Sequence, residues 1–151
     1  MIKKAYLVTT NLKNAEEFYV VSGLNHITLS VSDLARSLTF YVDLLGMKGH
    51  VKWDKGAYLS CGDLWLCLYC DDVSPAGDYT HIAFNVQEAD FTTCRDKLRQ
   101  AGVTEWKVNS SEGDSVYFLD PDGHKLEIHS GNLMSRLESL KEAPYSGLVW
   151  L

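Results

Sequence analysis

Residues 24–31 read Leu-Asn-His-Ile-Thr-Leu-Ser-Val, and residues 79–86 read Tyr-Thr-His-Ile-Ala-Phe-Asn-Val. Both stretches alternate, so successive side chains fall on opposite sides of an extended strand. In the first, His26, Thr28 and Ser30 share one face while Ile27, Leu29 and Val31 share the other. In the second, His81 and Ala83 lie opposite Ile82 and Phe84. The apolar side of each strand needs a cover of helices, which leaves the histidine side free for chemistry.

The segments after the two strands repeat as well. After the first, Ser32 or Asp33 is placed to cap a helix in which Leu34, Leu38, Tyr41 and Leu45 form an apolar stripe, and Gly46 ends it. Extended segments come next around Val51–Trp53, Ala57–Cys61 and Leu64–Cys70, with turns at Gly56 and Gly62. After the second, a helix carries Phe91, Cys94, Leu98 and Ala101 on one face and ends at Gly102. Strands are predicted near Glu105–Val108, Ser115–Leu119 and Lys125–His129, the last two joined by the turn Asp120-Pro-Asp-Gly123. Asn132 caps a terminal helix, about residues 132–142, that bears Leu133, Leu137 and Leu140 and stops before Pro144. Asp71–Asp78, with Pro75 and Gly77, reads as the linker. The expectation is an α+β chain of two βαβββ modules, about residues 22–70 and 79–130, each needing the other to cover its apolar face.

Composition bounds the partners. The 151 residues are 46% apolar and 23% charged, an ordinary soluble globular balance. No apolar run approaches the roughly 20 residues that span a bilayer. Residues 1–20 mix Lys3 and Lys4 with Asn11, Asn14, Glu16 and Glu17, so no secretory signal is expected there and a cytoplasmic location is. A net charge of −6 speaks against nucleic acid, which needs a basic face, though not against a small cationic pocket. Cys61, Cys67, Cys70 and Cys94 form no disulfide framework. Cys67 and Cys70 fall on opposite faces of an alternating strand, which favours structural thiols over a metal or redox pair.

Glu127 and His129 occupy the polar face of the last strand, opposite Leu126 and Ile128. Two histidines at equivalent positions plus a carboxylate on a neighbouring strand can supply an open divalent-cation site. A lone strand histidine is ordinarily just hydrogen-bonded or exposed; the repeat of His26 by His81 is what raises the metal reading. His129 competes with Glu127, but two residues along a strand is about 7 Å, too far for both to be expected on one ion.

Several stretches carry a resemblance to a known family: Gly23-Leu-Asn-His-Ile-Thr-Leu29, Trp53-Asp-Lys-Gly-Ala-Tyr-Leu59, Leu64-Trp-Leu-Cys-Leu68, Asp78-Tyr-Thr-His81, Glu105-Trp-Lys107, Ser111-Glu-Gly-Asp-Ser115 and Tyr117-Phe-Leu-Asp-Pro-Asp-Gly-His-Lys-Leu-Glu127. Over about residues 22–150 the chain resembles the vicinal-oxygen-chelate superfamily, and within it the manganese-dependent fosfomycin glutathione transferases of the FosA type. The Trp-Lys pair followed by Ser-Glu-Gly-Asp-Ser is the more selective motif. The resemblance implies a vicinal-oxygen-chelate fold whose modules are exchanged between the two chains of a homodimer. It implies that His26, His81 and Glu127 bind Mn²⁺, with His26 joining His81 and Glu127 of the other chain. It implies that Thr28 hydrogen-bonds the epoxide oxygen and helps protonate the opened alkoxide. Lys107, Ser111, Ser115, Tyr117 and Arg136 would hold the phosphonate. Asn109, Ser111, Gly113 and Ser115 would form a loop for an activating K⁺. Trp53, Tyr58, Trp65 and Cys67 would line the thiol and substrate region.

The implied chemistry is coherent: cationic side chains with hydroxyl donors match a phosphonate, and a Lewis acid eases ring opening. An oriented thiolate attacks carbon without an enzyme nucleophile. Residues 1–20 precede the resemblance and read as an N-terminal extension of no assigned role. Lys55 and Ser110 stand where Gln and Arg are common in the family, beside the thiol-binding side. Two rivals stay open. One is another metalloenzyme on this fold, such as a glyoxalase or an extradiol dioxygenase, which activity on a catechol or a methylglyoxal adduct would favour. The other is a non-catalytic antibiotic-binding protein, whose drug binding would survive chelation.

Overall fold

The computed structural model describes residues 20–151, so nearly all of the expected N-terminal extension lies outside the described residues. Strand β1, His26–Val31, leads into helix α1, Leu34–Leu38, which continues as a π-helical stretch over Thr39–Leu44. Strands β2 (Lys48–Trp53), β3 (Gly56–Cys61) and β4 (Leu64–Cys70) complete the first module. The second runs through β5 (Ile82–Asn85), α2 (Glu88–Gln100), β6 (Glu105–Lys107), β7 (Asp114–Leu119) and β8 (Lys125–Ser130), and α3 (Leu133–Glu142) comes last. Each module forms one four-stranded sheet, ordered β1-β4-β3-β2 and β5-β8-β7-β6. In each, the first and last strands pair in parallel and the others antiparallel. The α+β, twice-repeated βαβββ architecture is therefore as expected.

The predicted faces hold. Leu29 and Val31 on β1, Leu66 and Leu68 on β4, and Leu126 and Ile128 on β8 are buried, whereas His26 and Thr28 are exposed. Each fully buried aliphatic side chain contributes about 1.5–3 kcal/mol. Asp33 caps α1 by accepting from the Arg36 amide, and Asn132 caps α3 in a reciprocal box with Ser135. The first helix departs from the ideal stripe, because widening to π-helical spacing buries Phe40 and Tyr41 together. Gly46 takes φ +76° and ends it. Gly56 is not itself in the turn but opens β3, where the Trp53 indole and the Leu68 carbonyl leave no room for a Cβ. In α3, Leu133 is exposed while Leu140 is buried. All four cysteines are free.

The modules meet through helices and one turn. Phe40 packs on Phe118 at 6.2 Å between ring centroids. The buried Tyr41 hydroxyl donates to Asp120 Oδ2 at 2.7 Å, and burial followed by the Asp120 charge pushes that phenol far above its ordinary range. Asp120 also accepts from the amides of Asp122 and His124, which sets the Asp120–Gly123 turn. From that turn Asp122 accepts from Ser32 and Arg36, and His124 Nε2 donates to the Ser30 carbonyl at 2.6 Å. The end of β1 is thereby tied to the second module. Among the described residues no helix is long and apolar enough to cross a membrane.

Candidate active site

The second sheet places its polar residues where parity predicts. Ala83 pairs with Glu127, and Tyr117 pairs with Glu127 from the other side. His81 sits just before β5, with Nδ1 2.7 Å from the Tyr79 carbonyl and Nε2 3.0 Å from Glu127 Oε2. A carbonyl only accepts, so Nδ1 carries a proton, and Nε2 is left to face the carboxylate. Two lone pairs at that distance repel unless a proton or a cation lies between them. The backbone bond also fixes the ring orientation, as metal-ligating histidines require. This imidazole and carboxylate set fits a divalent metal such as Mn²⁺.

The other Glu127 oxygen is held separately. Ser115 Oγ lies 2.6 Å from Glu127 Oε1 and 2.7 Å from His129 Nδ1. His129, two residues further along β8, leans its side chain toward Glu127 and brings Nδ1 within 3.6 Å of Oε1. Strand rise separates backbones, but side chains on one face can converge through a small residue such as Ser115 on the neighbouring strand. His129 nevertheless turns its Nδ1 to Ser115.

A cavity of about 440 Å³ opens over these groups and is lined by Lys107, Ser111, Tyr117 and Arg136 as well as His81 and Glu127. Lys107 lies over the rings of Tyr79 and Tyr117, at 4.7 Å from each centroid, and donates to the Tyr79 hydroxyl. That hydrogen bond raises the Lys107 pKa above its ordinary value. Arg136 reaches in from α3, with Nε 3.2 Å from a Glu112 carboxylate oxygen and Nη2 2.9 Å from the Glu112 carbonyl. Its Nη1 lies 3.4 Å from the Tyr145 hydroxyl. Tyr79, Glu112 and Tyr145 are site residues that sequence reasoning does not assign. Tyr79 carries a signal, since it precedes His81 by two, but Tyr145 lies beyond the last predicted helix with no pattern around it.

The loop expected to hold K⁺ is closed on itself. Asn109 Nδ2 donates to the Gly113 carbonyl at 2.8 Å, and its Oδ1 accepts from both the amide and the hydroxyl of Ser111. Ser115 turns to Glu127, and the Gly113 carbonyl keeps a second lone pair beyond its bond from Asn109.

The first sheet carries the remaining residues. His26 stacks on Trp65 at 4.5 Å, Trp65 meets Tyr58 at 5.2 Å, and Tyr58 meets Trp53 at 4.8 Å. Trp53, Tyr58 and Trp65 are each 38% exposed, an aromatic platform facing outward. Thr28 pairs with Cys67 on the same sheet, and Cys67 is buried beneath its neighbours. His26 is thus on a different sheet from His81 and Glu127. Among the described residues no three His, Cys, Asp or Glu side chains converge as a metal site, so one chain brings together two of the three expected ligands.

With two βαβββ sheets and a histidine at the head of each, the chain belongs to the Glyoxalase/Bleomycin resistance protein/Dioxygenase superfamily, whose model matches residues 23–128. Among its relatives, it is 55% identical over 136 residues to the glutathione transferase FosA of Serratia marcescens, covering 87% of this chain and 96% of that protein. It is 40% identical over 136 residues to the metallothiol transferase FosB of Staphylococcus haemolyticus, covering 82% of this chain and 94% of the relative. Its fold is similar to the crystal structure of the fosfomycin resistance protein FosX from Listeria monocytogenes, with TM-score 0.72 and 31% identity over 80% of this chain and 99% of the other. A mutant of that Listeria protein complexed with Mn(II) and 1S,2S-dihydroxypropylphosphonic acid matches with TM-score 0.73 and 31% identity, covering 80% of this chain and 98% of that one.

Proposed function

We propose that this chain is a metal-dependent glutathione transferase that confers fosfomycin resistance by adding the glutathione thiol to the antibiotic's epoxide. The observation that carries this reading is the single cavity in which Lys107 and Arg136 face the His81–Glu127 pair. Two cations beside two hydroxyls suit a phosphonate, and the lone-pair face beside them suits a metal. The similarity to the Serratia transferase selects glutathione among thiols.

His81 Nε2, Glu127 Oε2 and His26 of a second copy are the ligands that would hold Mn²⁺. Bound there, the metal supplies Lewis-acid stabilisation of the negative charge that grows as the ring opens, worth several kcal/mol. The protein's own groups do the rest. Lys107 and Arg136 neutralise the phosphonate and fix its position, while Ser111 and Tyr117 donate to its oxygens. Glu112 and Tyr145 hold the Arg136 guanidinium in place for that role. The thiolate sulfur forms a bond to an epoxide carbon as the carbon–oxygen bond breaks, and Thr28 of a second copy, on the same strand face as that copy's His26, would help protonate the alkoxide. Trp53, Tyr58, Trp65 and Cys67 line the approach of the thiol. The exposed aromatic platform and the separation of His26 from its co-ligands support a homodimer with exchanged modules. A glutathione-rich cytoplasm is the matching location. Oxygens of the Asn109, Ser111, Gly113 and Ser115 loop would hold an activating K⁺.

A competition experiment tests the thiol assignment. Fosfomycin is incubated with the Mn²⁺-loaded protein, equal glutathione and cysteine, and isotopically labelled water, and the products are separated by mass. A predominant glutathione adduct supports the reading, whereas a diol or a cysteine adduct in excess overturns it.

A further inference from the structure

From the contacts around the Glu127 carboxylate we infer that His129 is a positioning residue, acting through Ser115 to fix Glu127 for metal binding. This rests on the metal-site reading above. The direction of the hydrogen bonds follows from their chemistry. A carboxylate oxygen accepts, so the Ser115 hydroxyl must spend its one hydrogen on Glu127 Oε1, 2.6 Å away. Its oxygen is then left to accept, and the atom 2.7 Å away, His129 Nδ1, must be the donor. The chain therefore runs from His129 Nδ1–H to Ser115 Oγ–H to Glu127 Oε1. It engages Oε1 and leaves Oε2 to face His81 Nε2 at 3.0 Å.

The His129 ring is itself held in a slot made by two glycines. A Cβ on Gly131 would come 2.7 Å from His129 Nε2, and one on Gly113 would come 2.9 Å from Cε1. Any larger residue at either place would displace the imidazole. Gly113 belongs to the loop carrying Ser111, so the same ring links the proposed phosphonate loop to the proposed metal carboxylate. Outer partners of this kind typically matter about 10–100-fold in metal affinity.

The test uses the full-length protein and Mn²⁺ binding followed by electron paramagnetic resonance, with thermal melting and steady-state kinetics alongside. His129→Phe keeps a ring but removes the donor, His129→Asn keeps an amide donor near the Nδ1 position, and Ser115→Ala removes the bridge. The expected result is an approximately tenfold or greater loss of Mn²⁺ affinity in His129→Phe and in Ser115→Ala, with substantial recovery in His129→Asn and Ser115→Thr. The His129→Phe, Ser115→Ala double variant should bind no more weakly than the weaker single, since both break one chain. In His129→Phe the loss of kcat should follow metal occupancy and disappear at saturating Mn²⁺. Wild-type affinity in His129→Phe, or losses that multiply in the double variant, would overturn the inference while leaving the transferase reading intact. If His129→Phe does not fold, Ser115→Ala with its Thr rescue decides the matter. A wild-type chain that binds no Mn²⁺ defeats both readings.

Discussion

His81 Nε2 and Glu127 Oε2 stand 3.0 Å apart while Nδ1 of the same ring donates to the Tyr79 carbonyl. A divalent cation bound between Nε2 and Oε2 would take the place of a second ring proton. Mn²⁺ at about 100 times its Kd should stabilise the protein by about 2.7 kcal/mol, which is about 5–10 °C in melting temperature for a chain of this size. Glu127→Gln should abolish that increment. An unchanged melting temperature in wild-type protein with added Mn²⁺ would count against a metal at this pair.

If His26 completes the site of another copy, two inactive variants should rescue each other. In a mixed dimer of His26→Ala and His81→Ala chains, one site carries both lesions and the other carries neither. Random re-pairing should then restore about a quarter of wild-type activity, because half the dimers are mixed and each has one intact site of two. Turnover that stays at the level of the separate variants after denaturation and joint refolding contradicts exchange.

Much of the architecture is legible in the chain itself. The alternation of residues 24–31 and 79–86 determines which faces are buried, because a strand's period is geometric and local. The two first-strand histidines and Glu127 stand out by parity for the same reason. Less visible are features that depend on contact between elements. Tyr41 reads as one member of a helical stripe, yet the π-helical widening lets it reach Asp120 across the module boundary. By strand rise alone His129 stands too far along β8, and only Ser115 on β7 shows how the two side chains are joined. Tyr145 has no local pattern at all, and its position depends on where α3 ends relative to Arg136.

Lys107 should keep its charge to unusually high pH. The Tyr79 hydroxyl bonds the ammonium and is the main reason its pKa lies above the ordinary lysine value. A raised value favours the cation, so KM for fosfomycin should stay flat up to the ordinary lysine range of about 10.4 and rise only beyond it. Tyr79→Phe should move that rise to lower pH. Lys107→Met should lower kcat/KM by about 10–100-fold, the scale of one lost charge-assisted hydrogen bond. A KM profile identical in wild-type and Tyr79→Phe proteins would contradict this role.

Gly56→Ala offers a way to disturb the first sheet alone. The added methyl would sit 2.6 Å from both the Leu68 carbonyl oxygen and Trp53 Cζ2, so the indole must move. KM for glutathione should rise several-fold, while phosphonate binding in the Lys107 cavity is unaffected. Steady-state kinetics with each substrate varied in turn separates the two. A rise in the fosfomycin KM alone would mean that Trp53 serves the other substrate.

The most direct test is phosphorus NMR of fosfomycin incubated with protein, Mn²⁺ and glutathione, with each component omitted in turn and with Glu127→Gln as the control. A new phosphonate resonance that needs both metal and thiol, and that slows by about three decades in the variant as several kcal/mol of stabilisation is lost, is the predicted result. An unchanged fosfomycin signal from protein that demonstrably binds Mn²⁺ and glutathione would contradict the proposed activity.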